Sequence, residues 1–246
     1  MSEDKLLAHM LPQKSRHLTG AWTSIASNWG DGRNYFHWIT DNLTRLFVRE
    51  SLPESARVLL PISTSPYIRE TLEILGIAEL CESPRETNLC VERFYFCSPV
   101  AMSGVWNPLG FDWLRKSFSP CFGAVGSGPA VFLTRRGSNR IPAFLETIEA
   151  LFRKAGFKIL DCGKLTVREQ ISAVSAAPAI AGIHGAAMTN ILWASPTTPV
   201  LEVFEPSYLN ACYEQIAFQG GLRYAATCEI GSALEASVGR WLRNYV

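Results

Sequence analysis

The chain is poor in charge and in histidine: Asp, Glu, Lys and Arg make up 18% of its 246 residues, and only four residues are His. Its 23 basic residues face 22 acidic ones, so no excess of positive charge marks it for nucleic acid. The apolar share, 48%, is too high for a disordered chain and ample for a core, in one large domain or two of about 100–150 residues each. Seven cysteines, at 81, 90, 97, 121, 162, 212 and 228, contain no Cys-x-x-Cys pair, which argues against a zinc knuckle or a dense disulfide framework. Reduced, mostly buried thiols are expected. The N-terminal MSEDKLLAHMLPQKSRH lacks the basic-then-apolar order of a signal peptide. The smoothest apolar stretch, 171–188, is broken by Ser172, Ser175, Pro178, Gly182 and His184, too polar for a membrane span. A soluble cytoplasmic protein is expected, peripheral to a membrane only through partners.

Several chemistries also lack their motif. There is no His-Glu-x-x-His, no Gly-x-Ser-x-Gly elbow and no Walker A loop. The Gly-x-Gly at 126–128 precedes its strand instead of following it, which disfavours a hydride-transfer cofactor. Zinc proteases, serine hydrolases, P-loop enzymes and dinucleotide oxidoreductases all lose support.

What is present is an alternating α/β pattern. From Ala130, the apolar runs AVFLT, FKIL, AIAGI, VLEVF and RYAAT alternate with helix-like segments, as in a parallel sheet covered by helices. The first helix places Ile141, Phe144, Leu145, Ile148, Leu151, Phe152 and Ala155 on one face and stops at Gly156. The second opens with a Thr166–Glu169 capping box. In the first half, RVLLPI (57–62) and VERFYF (91–96) read as strands, and YIRETLEIL (67–75) reads as a helix ending at Gly76. Between the halves, 119–129 holds three glycines, two prolines and two serines. The expected division is an N-terminal α/β domain over 1–125 and a C-terminal Rossmann-like domain over 126–246.

Three segments carry candidate chemistry. In GIHGAAMTNILWASP (182–196), His184 and Gly185 fall where strand AIAGI meets the helix AAMTNILW, on the sheet edge where open α/β folds bind ligands. The helix N–H groups there, and His184, suit an anion; the alternative is that the small residues only permit close packing. LTRRGSNR (133–140) follows another strand, so Arg135, Arg136 and Arg140 reach the same edge, as a phosphate-holding set or a solvated basic loop. RNYFHWITDNLTRL (33–46), read as a helix, aligns Asn34, His37, Asp41 and Arg45, with Phe36, Ile39, Leu43 and Leu46 on another stripe. His37 and Asp41 are then neighbours, an imidazole and a carboxylate paired as for general base catalysis, or a polar face meeting water. No third residue at a recognisable spacing makes them a metal site.

In this order, the three segments resemble the family 61 glycosyltransferases, which include bacterial capsular and exopolysaccharide enzymes, plant xylosyltransferases and animal N-acetylglucosaminyltransferases. The resemblance runs from about Asn28 to about Tyr224. NYFHWITDNLTRL is similar to the family's Asn-Tyr-Tyr-His-Trp segment, LTRRGSNR to its arginine-rich turn, and the block from Gly156 to Pro206 to its Gly-Phe, Glu-Gln, His-Gly-Ala, Thr-Asn, Pro-Thr and strand-glutamate succession. Departures include Leu43-Thr44-Arg45 for Leu-Pro-Arg, Ala187-Met188 for Gly-Leu, and Pro142-Ala143 where Asn-Glu commonly follows the arginine turn.

The resemblance implies a GT-B-like fold of two Rossmann-like domains facing across a cleft, and an inverting glycosyltransferase using a nucleotide-diphosphate sugar, with UDP the expected nucleotide. Arg135, Arg136 and Arg140 would hold the diphosphate, and His184, Gly185 and Ala186 would cradle it. Thr189 and Asn190 would support that turn or touch the donor, with Glu202 on the ribose or behind the site. Asn34, His37 and Asp41 would face the sugar and a glycan or glycoconjugate acceptor, with Asp41, or His37 oriented by Asp41, as base. No cofactor is required, and a divalent cation is left open. A non-catalytic nucleotide-sugar or glycan-binding module is the alternative, followed by a metal-dependent phosphosugar hydrolase.

Overall fold

A computed structural model describes residues 15–27, 32–63, 65–86, 88–98, 105–137 and 140–245. The stretch before residue 15, Asn28, Ser138 and Asn139 lie outside the described residues. Nine strands form two sheets among these residues, and every pairing is parallel. In the first half, β1 (Arg16–Ser24) is followed by a helical run opening as α1 (Tyr35–His37), then β2 (Arg57–Leu59), α2 (Pro66–Ile74), β3 (Cys81–Glu82) and β4 (Leu89–Tyr95). The sheet order is β3-β2-β1-β4. After α3 (Pro108–Phe118) come β5 (Val131–Leu133), α4 (Leu145–Lys154), β6 (Lys158–Leu160), α5 (Val167–Ala176), β7 (Ile180–Ile183), β8 (Pro199–Val203), α6 (Cys212–Gln219), β9 (Arg223–Thr227) and α7 (Gly231–Tyr245). This second sheet has the order β6-β5-β7-β8-β9.

Both orders reverse direction beside the first strand of their sheet, which is the hallmark of doubly wound α/β topology. In the second sheet the reversal lies between β5 and β7. Connections leaving these two strands diverge to opposite faces and open a crevice at their C-terminal ends, and that crevice is where the arginine loop and the His184 turn stand.

Local chemistry explains the element ends. Gly76 and Gly156 follow α2 and α4 with φ of +70° and +84°, conformations that glycine adopts without a Cβ clash. The Thr166–Glu169 capping box is present, with the threonine hydroxyl accepting from the Glu169 N–H and the glutamate accepting from the Thr166 N–H. Ile141 departs from expectation. It is exposed, and α4 begins only at Leu145. Pro142 restricts the residue before it to extended backbone, so the arginine loop continues through 144 before the helix winds.

One apolar cluster fills the space between the layers. It joins Trp38, Ile39 and Leu43 of the first half, and Phe111, Leu114 and Phe118 of α3, to Met188, Ile191, Leu192 and Trp193. The far face of the second sheet is covered by α4 and α7, through Phe152 and Trp241, with Phe157 from the turn before β6 packed among them. Three polar clamps fix the halves against each other. Arg115 of α3 donates from Nη1 to the carbonyls of Leu192 (2.5 Å) and Ala194 (2.8 Å). The Glu70 carboxylate of α2 accepts from the N–H groups of Val167 (2.8 Å) and Arg168 (3.0 Å), capping α5 from the opposite half. The Tyr35 hydroxyl donates to Asn190 Oδ1 at 3.1 Å. Among the described residues, no helix is long and apolar enough to cross a membrane.

Candidate active site

A cavity of about 760 Å3 lies between the two halves at the β5/β7 crevice. Asn34, Tyr35 and His37 line it from the first half, and Arg135, Arg140 and His184 to Ala187 from the second. The three sequence segments, separated by up to 150 positions, therefore meet at one site.

The 33–46 segment is helical, though not one regular α-helix. After α1 it widens into a π turn over Trp38–Asn42 and tightens into a 3₁₀ run over Leu43–Ser51. The whole π turn is buried, so its polar side chains find partners inside. Asn42 Nδ2 donates to the Ile25 carbonyl (2.6 Å), Thr40 Oγ1 to Asp41 Oδ1 (2.6 Å) and Trp38 Nε1 to Thr71 Oγ1 (2.9 Å). Asn34 is the N-cap, its Oδ1 accepting from the Phe36 N–H at 3.0 Å. Asp41 Oδ2 stands 2.8 Å from His37 Nδ1. Of this pair only His37 lines the cavity; Asp41, 8% exposed, lies behind it. A carboxylate on Nδ1 fixes the tautomer and leaves proton transfer to Nε2. Arg45 lies deeper still, donating to the carbonyls of Asp41 (3.2 Å) and Cys97 (3.0 Å).

The second half brings a matching pair. His184 Nδ1 contacts Glu202 Oε1 at 2.5 Å, and the other glutamate oxygen accepts from the Tyr224 hydroxyl at 2.5 Å. The imidazole also stacks on Phe204, with ring centroids 4.7 Å apart. Glu202 is fully buried and does not line the cavity, so it orients His184 from behind. The turn that follows enters a 3₁₀ helix over Ala186–Trp193, where an α-helix is expected from the sequence. Asn190 is wholly buried and engaged with Tyr35, Trp193, Gln170 and Ala187, which makes it a tie between the halves. Thr189 is equally buried and, like Asn190, absent from the cavity wall.

The three arginines divide. Arg135 donates to the His184 carbonyl and packs against Gly185, where an added Cβ would stand 3.3 Å from the guanidinium carbon. Arg140 lies over the Tyr208 ring at 5.0 Å. Burial, and then the charge of Arg140, push the Arg135 guanidinium below its ordinary range. An anion bound beside both relieves that repulsion. Arg136 points elsewhere: it forks onto the buried Glu149 carboxylate at 2.7–3.0 Å and pairs with Glu146 at 2.8 Å, outside the cavity wall. Two thiols also line the cavity, Cys162 and Cys212, and burial pushes both up to about 12. They are protonated at neutral pH and are poor nucleophiles.

Two expected results follow. Gly185→Ala adds a Cβ without backbone strain, since its φ of 160° is extended, and displaces the Arg135 guanidinium by a few tenths of an ångström. The affinity of this cationic crevice for an anion such as inorganic diphosphate should fall about 10-fold by calorimetry, with the melting temperature nearly unchanged. The second concerns Glu149. Burial pushes its carboxyl up, but hydrogen bonds from Arg136, Thr134 and Arg153 outweigh this and hold it below its ordinary value. A lowered folded-state value means the stabilisation is complete above the ordinary glutamate range and lost as pH falls through the folded value. Glu149→Gln should therefore cost about 2–3 kcal/mol at pH 7 and less in acid, measured as urea unfolding between pH 7 and pH 3.

The features above define an α/β protein of two parallel sheets with a cationic crevice at a topological switch point and an imidazole–carboxylate pair on each side. The family profile described as Glycosyltransferase 61 matches residues 35–201, and the chain belongs to that family. A stretch of 75 residues, 30% of the chain, is 34% identical to a Beta-1,2-xylosyltransferase of Arabidopsis thaliana. That stretch spans 14% of the plant protein's length.

Tyr208, Tyr213 and Asp161 also line the cavity and escaped the reading of the sequence, whereas Tyr35 and Gln170, which line it too, belong to the segments that match the family motifs. Asp161 had a signal, an acidic residue directly after the strand that follows the arginine turn; Tyr208 and Tyr213 had none, since their placement depends on packing between the halves.

Proposed function

We propose that the protein is an inverting glycosyltransferase that moves a sugar from a UDP-sugar to a carbohydrate hydroxyl. The observation that carries this reading is the pairing, in one cavity of a glycosyltransferase 61 family member, of the Asp41-backed His37 with the Arg135 and Arg140 guanidinium groups. His37 Nε2 takes the proton from the acceptor hydroxyl as its oxygen attacks the anomeric carbon. Asp41 holds the ring and stabilises the imidazolium that forms. The bond from the anomeric carbon to the phosphate oxygen breaks on the opposite side, so the configuration inverts. Negative charge gathers on the departing diphosphate, where Arg135, Arg140, His184 and the backbone of Gly185 and Ala186 receive it.

Two parallel sheets with the cavity between them support a GT-B-type arrangement. The seven unpaired cysteines support a cytoplasmic setting. A screen of nucleotide sugars for thermal stabilisation tests the donor part: a UDP-sugar should raise the melting temperature, by about 2.7 kcal/mol of stabilisation at 100 times its Kd. His184→Ala should blunt that shift. A panel in which no nucleotide sugar stabilises the wild-type protein rejects the reading, whereas saturable binding without transfer identifies a binding module.

A further inference from the structure

The cavity wall contains one carboxylate among its described lining residues, Asp161. It directly follows β6, the strand next to β5, and thus stands one strand away from the arginine loop on the side opposite the β5/β7 crevice. The two meet in space: a Cβ on Gly137 of the arginine loop would lie 3.5 Å from Asp161 Oδ1. Arg33, Arg135 and Arg140 line the same cavity. A carboxylate beside an anion-binding loop repels phosphate, so a useful role for it there is to accept from uncharged donors just beyond the phosphates.

We infer that Asp161 is the ribose-recognition residue of the nucleotide site, its carboxylate accepting from the 2′- and 3′-hydroxyls of a nucleoside diphosphate. This rests on the nucleotide-sugar reading above. The position is the one that doubly wound sheets provide: phosphate at the turn after the first strand, an acid at the end of the adjacent second strand, and the ribose between them. Glu202, the ribose candidate from the sequence, is fully buried with both oxygens held by His184 and Tyr224. Asp161 is partly exposed. Its Oδ1 accepts from the Gly163 N–H at 3.2 Å and its Oδ2 lies 3.4 Å from the well-exposed Lys164 ammonium. A carboxylate has about four acceptor sites, so these partners leave capacity for a diol. With the ribose at the β6 end, the transferred sugar points away from it, towards the His37 and His184 wall.

The test is calorimetric titration of the full chain with UDP, 2′,3′-dideoxy-UDP and inorganic diphosphate, for wild type, Asp161→Ala and Asp161→Asn, the last retaining a capping oxygen for Gly163. Wild type should bind UDP about 10- to 100-fold more tightly than the dideoxy compound, the range of a hydrogen bond to a charged group. Asp161→Ala should bind both at the dideoxy level while its affinity for diphosphate is retained, and Asp161→Asn should fall between. Undiminished preference for ribose in Asp161→Ala overturns the assignment. So does an equal loss for all three ligands in both variants, which indicates a structural role. If wild type binds diphosphate but not UDP, the nucleotide reading itself fails, and the ribose assignment falls with it.

Discussion

Replacing His37 by Ala should lower the rate of sugar transfer by about 10²- to 10⁴-fold while leaving the affinity for UDP within about 2-fold. The split between kcat and binding follows from where the side chain stands. His37 lines the cavity from the first half, whereas the groups proposed to hold the diphosphate stand on the turns after β5 and β7 of the second. Removing it deletes the proposed proton acceptor and leaves Arg135, Arg140 and the His184 turn in place. Asp41→Asn should approach the same loss, because the amide supports the wrong imidazole tautomer, yet Asp41 has no place on the cavity wall and should not affect donor affinity. Transfer by His37→Ala at more than a tenth of the wild-type rate would remove the base from this position.

Arg135→Ala should weaken UDP binding by about 10²- to 10³-fold and reduce transfer further still. The guanidinium is held against Gly185 and bonded to the His184 carbonyl, so it is fixed before the donor arrives and needs little ordering when charge develops on the leaving group. Removing one partner of a desolvated charge pair commonly costs about 2–5 kcal/mol, the basis of the expected factor. Arg135→Lys should recover only part of it, because an ammonium cannot fork onto two phosphate oxygens. Arg136→Ala is the natural contrast. That side chain is engaged with Glu146 and Glu149 outside the cavity, so its loss should lower stability and leave UDP affinity near wild type. Equal effects of Arg135 and Arg136 on binding would contradict the division of the loop.

The second sheet could be read in the sequence because its strands are short buried apolar runs set off by glycine and helical segments. VFL, KIL, IAGI, PVLEV and RYAAT lie where they were expected. β1 gave no such signal. It carries a glycine with φ of +83° and an irregular register between Leu18 and Ala21, so its alternation is broken even though it is a central strand. α3 had a usable signal in Asn107-Pro108, an N-cap followed by a first-turn proline, and the Asn107 side chain does cap the Leu109 N–H. At the site, periodicity gave the His37–Asp41 pair, since residues four apart meet in any helical turn. It did not show which of the two reaches the ligand, because that depends on how the segment rotates when Trp38 and Ile39 enter the core. Arg136 misled for a similar reason: adjacent residues after a strand diverge, and the buried Glu149 that claims Arg136 lies one helix away in sequence.

The most direct measurement is product formation itself. The wild-type chain is incubated with the nucleotide sugar that stabilises it most and a panel of carbohydrate acceptors, and released diphosphate is followed together with the anomeric configuration of the product by proton NMR. The predicted result is acceptor-dependent release of UDP, a product of inverted anomeric configuration, and loss of both in His37→Ala with donor binding intact. Saturable donor binding with no acceptor-dependent release, or a product that retains the donor's configuration, would contradict it.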